Sequence, residues 1–183
     1  MQDAVYGIDQ SFGRAGIARV ALHEDGTCSA RAKSSPKRTC AAKPYSKRHH
    51  DIREQAEAIC EQVWADAALV VIEGPAFSAR GAALWQLAAL LDRIYQILED
   101  DGFRIAVCSP GTRAKWATGK GNADKDSVGI AIDRLWPDVG SNNDERDALV
   151  FATMGAQKLG WPVPERAHHR AALEAVEWPS FDL

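Results

Sequence analysis

An α/β domain built on one mixed β-sheet flanked by helices is the fold class this sequence predicts. Three observations carry it. Three short β-prone segments crowd into the first 33 residues, joined by turns too short to hold crossover helices. Short apolar strands then alternate with helix-period segments. The length, 183 residues, suits one domain that buries roughly 70% of its unfolded surface.

The elements follow in chain order. "AVYGID" (residues 4–9) is a short apolar strand, 16–23 a second rich in β-branched and apolar residues, and 27–33 a weakly alternating third. "EDG" at 24–26 is the turn between the last two, and the three read as an antiparallel meander. A loop over 36–44 leads to a helix starting near Ser46, where Ile52, Ala56, Ile59 and Val63 recur at helical spacing. Residues 69–73 form a fully apolar strand, 79–100 a long helix and 103–108 the next strand. "SPGTRAKW" offers Ser109 as N-cap and Pro110 at the first helical position. Residues 124–136 and 142–159 read as two more helices. After Gly160 three prolines frame a short helical piece near 165–176, so the expected division is a domain over 1–160 and a C-terminal tail over 161–183.

Composition narrows the class. Apolar residues make up 46% and charged residues 26%, as in soluble globular proteins. The longest strictly apolar run is 67–72, against about 20 residues for a spanning helix. No basic and apolar leader opens the chain. The expectation is a cytoplasmic protein with no membrane partner. Cys28, Cys40, Cys60 and Cys108 are far apart with no CxxC pair, which argues for free thiols rather than a zinc site. Residues 31–50 hold seven basic side chains and no acid, within a chain of net charge −3. That asymmetry fits either a solvated loop or the footprint of a polyanion.

Four acids stand where burial is expected. Asp9 ends the first strand and Glu73 ends the fourth. Asp144 and Asp147, three residues apart in "NNDERDALVFATM", share one helix face beside apolar positions. Each alone reads equally as a turn residue, a strand exit or a charge at a helix N-terminus. Together they need protons or a cation, since two carboxylates about 4 Å apart repel by roughly 4 kcal/mol at an effective dielectric near 20. Ligands that are all oxygen favour Mg²⁺ or Mn²⁺, and paired ions of this kind can clamp a phosphodiester during hydrolysis. Gly13 and Gly16, in the turn after Asp9, are expected to let phosphate and metal approach closely.

"YGIDQSFGRAGIA", "LVVIEGPAF", "KWATGKGNADKDSV" and "NNDERDALVFA" occur in the order and spacing of the RuvC-like Holliday junction resolvases of the RNase H-like nuclease superfamily. The chain resembles that family over residues 4–159, most of all its phage-borne branch, whose members have a GKGNADKD-like stretch. The resemblance implies an RNase H-like five-stranded mixed sheet, three strands antiparallel and two parallel. It implies that Asp9, Glu73, Asp144 and Asp147 are the catalytic, metal-binding tetrad, holding two Mg²⁺ per subunit, with Mn²⁺ a substitute and Asp9 a bridging ligand. The chain departs from the pattern at Gln10, where a proline often follows the first Asp. It also departs at Gly74-Pro75, in the basic 31–50 stretch and beyond Gly160.

Residues that would hold DNA are the lysines Lys115, Lys120 and Lys125, two of which match lysines that contact the scissile strand in the family. The alternative is a surface loop with Asn122 or Asp124 capping a helix. Phe77 and Arg80, shortly after Glu73, are candidates for base stacking and phosphate contact, as the resemblance implies; Phe77 packing into the core is the alternative. Lys37, Arg38, Lys47 and Arg48 belong to the basic stretch. His49-His50 and His168-His169 read as structural or surface pairs, not metal sites.

The segment "AALWQLAALL" carries Leu84, Leu87, Leu91, Ile94 and Leu98 on one face, expected to cover the sheet. Trp85, Leu90 and Ile97 widen its apolar girth, so a second partner is expected, either another subunit or the tail. A homodimer suits a four-way junction cut symmetrically.

The reading is a Mg²⁺-dependent crossover junction endodeoxyribonuclease of recombination and repair, leaving 5′-phosphate ends. It would act in the cytoplasm, that of a bacterial host if the chain is phage-encoded. A flap or fork debranching nuclease of the same fold is the alternative within that class. A non-catalytic branched-DNA binder is the alternative outside it. An actin-like kinase also places an Asp after a strand, but needs two such domains.

Overall fold

The computed structural model describes residues 2–41, 43–75 and 82–181. Five strands and six helices are present among them: β1 (Ala4–Asp9), β2 (Gly16–Leu22), β3 (Cys28–Ser34), α1 (Tyr45–Cys60), β4 (Ala67–Glu73), α2 (Ala82–Asp100), β5 (Ile105–Cys108), α3 (Pro110–Thr118), α4 (Lys125–Asp133), α5 (Asn143–Lys158) and α6 (Ala167–Leu173). No described helix is long and apolar enough to cross a membrane.

The sheet order is β3-β2-β1-β4-β5. β1 pairs antiparallel with β2, and β2 with β3, while β1–β4 and β4–β5 are parallel. The meander and the two later strands therefore join edge to edge as the pattern of elements predicts. Asp9 lies opposite Gly16, and Glu73 opposite Cys108. Ile8 pairs with Ile72, so Asp9 and Glu73 are the next residues of two neighbouring parallel strands.

Alternation along each strand divides the interior into two layers. Val5, Ala18, Val20, Leu69, Val71, Ala106 and Cys108 face α5 and the helices around it. Tyr6, Ile8, Ile17, Val70, Ile72 and Ile105 face the pair α1 and α2. Asp9 has the parity of Val5 and Gly7, and Glu73 that of Leu69 and Val71, so both acids project toward α5.

α5 lies on the sheet through missing side chains. A Cβ on Gly7 would come within 2.0 Å of the Ala148 carbonyl oxygen, and one on Gly16 within 1.9 Å of the Asp144 carbonyl oxygen. No side chain larger than hydrogen fits at either position. Gly16 thus serves the helix, not an approaching phosphate or metal as expected. Because Gly16 is opposite Asp9, its contact brings the first turn of α5 beside the end of β1.

Two other expectations change. In α2 the fully buried positions are Leu90, Ile94 and Leu98, whereas Leu84, Leu87 and Leu91 are half-buried. The reason is that α1 flanks α2: Ala56, Ile59, Cys60 and Val63 join the same cluster, so the buried stripe turns toward the seam between helix and sheet. Part of the wide apolar girth is therefore satisfied within the chain. The described part of the C-terminal segment, 161–181, also packs: Val163, Ala172 and Val176 are buried in the α5 layer. His169 there is 1% exposed and stacks on Trp116 of α3, with ring centroids 4.2 Å apart.

Candidate active site

Each of the four acids is placed by a separate feature of the sequence. Asp9 and Glu73 cap adjacent parallel strands. Asp144 and Asp147 enter from the first turn of α5, whose start is fixed by Asn142, the N-cap residue that accepts from Glu145 N at 3.1 Å. Glu145 itself is turned away from the acids. Its carboxylate accepts from Ser34 Oγ on β3 at 2.7 Å, and from Ser141 N and Oγ at 2.9 and 2.6 Å. These hydrogen bonds outweigh burial and hold the Glu145 carboxyl below its usual range. The start of α5 is therefore tied to β3 by a charged anchor.

Asp9 is 6% exposed and Asp147 2% exposed. Burial is the largest cause pushing the Asp9 carboxyl up, to about 9; the charge of Glu73 and a hydrogen bond to it come next, and Asp144 adds to them. The Arg113 guanidinium opposes the shift. Asp147 is raised to about 6, first by burial and then by Asp9, against the pull of Arg113 and Lys125. Carboxylates that are buried and repel one another ionise together only if positive charge joins them.

Part of that charge comes from the chain. Arg113 Nη1 lies 3.0 Å from Glu73 Oε1 and 2.6 Å from Asp147 Oδ2, joining the sheet acid to the helix acid. Lys125 Nζ stands 3.8 Å from the same Asp147 oxygen. Arg113 is the residue that sequence reasoning missed. It sits in "SPGTRAKW", one turn after the Ser109 N-cap, and Ser109 follows the β5 residue that pairs with Glu73. An arginine one turn into a helix that leaves the strand beside an acid-bearing strand was the available signal.

A divalent cation fits the donor set. All four candidate ligands are carboxylates, the chemistry hard cations prefer. Asp147 Oδ2 is buried with no hydrogen bond, its contact with Arg113 being an ion pair outside hydrogen-bond geometry. Among the described residues, no three His, Cys, Asp or Glu side chains are grouped so as to hold a metal ion; Arg113 stands between Glu73 and Asp147.

The other expected contacts are spread out. Among the described residues, the ion pairs to the tetrad come from Arg113 and Lys125. Lys115 is half-buried on α3 and Lys120 exposed just past its C-cap, Gly119. Asp124, not Asn122, is the N-cap of α4, accepting from Ser127 N at 2.7 Å. In the basic stretch Lys37 is exposed, Arg38 pairs with Glu54 at 2.9 Å, and Lys47 with Asp51 at 3.6 Å. Arg48 lies over aromatic rings. The charge of 31–50 is thus partly answered by acids of α1. Phe77 and Arg80 lie outside the described residues. Gln10 is buried with its Oε1 unpartnered, and nothing in the structure explains it.

Comparison with solved structures places the fold. The chain is similar to RuvC of Thermus thermophilus, with TM-score 0.63 and 19% identity over 88% of this chain and 99% of that one. The same RuvC in complex with a Holliday junction substrate gives TM-score 0.65 and 17% identity, again over 88% and 99%. The yeast mitochondrial Holliday junction resolvase Ydc2 gives TM-score 0.56 and 15% identity over 94% and 81%. No protein-family model and no curated protein matches the chain. The fold is that of RuvC, and the RNase H-like sheet is as the motifs imply.

Proposed function

We propose that this protein is a divalent-metal-dependent, structure-selective DNA endonuclease of the Holliday junction resolvase type. The observation that carries the reading is the grouping of Glu73 and Asp147, from β4 and α5, around Arg113 and Lys125, with Asp9 of β1 beside Glu73 and the charge of Asp144 acting on both Asp9 and Asp147. Likeness in fold to RuvC with a bound junction, and to Ydc2, supports it. In this reading Mg²⁺, or Mn²⁺ in its place, is held by the four carboxylates. It would supply Lewis-acid stabilisation of charge on the scissile phosphate and its attacking and leaving oxygens.

The chain's own residues do the rest. Asp9 and Glu73 would serve as ligands fixed at the ends of adjacent strands, and Asp9, raised chiefly by burial, would have to lose its proton to do so. Asp144 and Asp147 close the site from the helix side. Lys125, exposed and anchored at its tip on Asp147, is positioned to receive a phosphate from solvent. The products would carry 5′-phosphate and 3′-hydroxyl ends. A homodimer would present two such sites to a symmetric four-way junction.

The test is cleavage of labelled four-way junction, fork, flap and duplex DNA in Mg²⁺, with Asp9→Asn alongside. Paired nicks across the four-way junction, reduced at least a hundredfold in the variant, are expected. Preferential cutting of fork or flap would reassign the protein to debranching. Junction binding with no nicks on any substrate would overturn the enzyme reading in favour of a branched-DNA binder.

A further inference from the structure

Away from the acids, the surface carries an aromatic group that the proposed chemistry does not use. Tyr45 opens α1 and Trp85 lies in the first turn of α2, their ring centroids 5.7 Å apart at 50°. His49 lies 4.8 Å from Tyr45 and 6.4 Å from Trp85. The Arg48 guanidinium stands 5.5 Å from the centroids of both Tyr45 and Trp85. Tyr45 is 54% exposed and Trp85 41% exposed. Two helices thus present a clustered aromatic surface to solvent, with a cation across it.

Its place in the fold is informative. β3 ends opposite Gly16, which itself lies opposite Asp9, so α1 is approached from the acid-bearing edge of the sheet. The connection to α1 is pinned there: Ser35 N donates to Ala15 O at 2.8 Å, Arg38 N to Gly13 O at 3.3 Å, and Gln55 Nε2 to Ser11 O at 2.9 Å. α2 follows the strand that ends in Glu73. Both aromatics therefore stand at helix starts on the edge that holds the tetrad.

Next to them a cavity of about 520 Å³ runs between α1 and α2, lined by His49, His50, Arg53 and Arg93, with Asp92 as its acid. Residues 31–50, which lead into it, contain no acidic side chain. Acids of α1 answer part of this charge, Glu54 pairing with Arg38 and His50, and Glu57 with Arg53, but the seven basic side chains of 31–50 outnumber them. Flat exposed rings beside a basic excess match a nucleobase, whose face is apolar and whose flanking phosphates are anionic.

We propose that Tyr45 and Trp85 form a stacking site for one unpaired base of branched DNA, with the adjoining phosphates along the basic segment and the groove between α1 and α2. This rests on the nuclease reading, because it supplies the substrate, but it is tested without cleavage. The full-length protein, in EDTA, is titrated into junctions carrying 2-aminopurine at an unpaired position beside the branch, and separately into fully paired duplex. Trp85→Ala and Tyr45→Ala should each weaken binding of the unpaired substrate roughly tenfold and abolish the 2-aminopurine response. Trp85→Phe should retain both, and duplex binding should change less than about twofold. Both aromatics are exposed, so the folded state of the variants is checked by thermal melting.

Equal loss on paired and unpaired DNA would overturn base stacking and leave an electrostatic surface. Conversion of a wild-type dimer to monomer by Trp85→Ala, seen by sedimentation, would overturn it in favour of a contact between two copies. The outcomes separate from those of the nuclease reading. Absent nicking with an intact 2-aminopurine response rejects the enzyme and keeps the stacking site; nicking with an unchanged response in the variants does the reverse.

Discussion

Arg113 is the side chain on which the acid cluster turns. One nitrogen serves Glu73 and Asp147, of which Asp147 is buried and Glu73 half-buried. Removing it strands two carboxylates in a poorly solvated place. Arg113→Gln should lower metal-free stability by about 3 kcal/mol, read by denaturant melting, and added Mg²⁺ should restore a larger share of stability in the variant than in the wild type. Gly16 acts through absence. Gly16→Ala drives a Cβ against the Asp144 backbone, which cannot move without unseating the first turn of α5. A loss of about 3 kcal/mol is expected, together with weaker metal binding by calorimetry, whereas Gly13→Ala, with only the Ser11 hydroxyl nearby at 3.7 Å, should be nearly silent. Asp9, Glu73, Asp144 and Asp147 were legible in the sequence as candidates, because strand-end acids and a DxxD helix face show in one dimension. Arg113 and the role of Gly16 were not, since both act across elements far apart in the chain.

At the scale of elements, α6 docks on α3 through a histidine that must stay neutral. His169 Nδ1 accepts from Gln157 Nε2 at 2.9 Å and from Arg166 N at 3.3 Å, so the lone pair that a proton would take is already engaged. Gln157 Oε1 in turn accepts from Trp116 Nε1 at 2.8 Å. Burial leads in pulling the imidazole down from 6.5 to about 4, with repulsion from His168 and Arg166 behind it. A depressed histidine pKa means the unfolded chain binds the extra proton first. Its stabilising contribution is therefore whole above pH 6.5 and lost as pH falls toward 4, amounting to about 3 kcal/mol at most. Acid melting curves should show this slope, and His169→Gln should flatten it. The helix-capping signals at Ser109 and Asp124 were readable locally. The docking of 161–181 was not, because Val163, Ala172 and Val176 find their partners in distant helices.

Across the whole molecule, the tetrad is a site of frustrated charge at the meeting of sheet and helix. Asp9 is raised above its unfolded value, so the metal-free protein keeps the benefit of its proton in acid and loses it as pH climbs toward about 9. A cation that replaces the proton reverses the trend. The shift in melting temperature caused by Mg²⁺ should grow from pH 6 to pH 8.5, and Asp9→Asn should remove that growth. A Mg²⁺ effect that is the same at both pH values would contradict the assignment of Asp9 as a ligand.

By itself the sequence determined the βββ-α-β-α-β-α order and a mixed sheet opened by an antiparallel meander, and it singled out four acids as candidates. Those follow from local periodicity, turn chemistry and charge placed where apolar residues are the rule. Only the tertiary structure decided how α5 reaches the sheet, which cation stands among the acids, and that α1 shares the apolar girth of α2. Each of these depends on contacts between residues remote in the chain, such as Gly16 with Asp144 and Arg113 with Glu73. Excluded volume and ion pairing act across space, and a linear pattern carries no record of which distant atoms will share it.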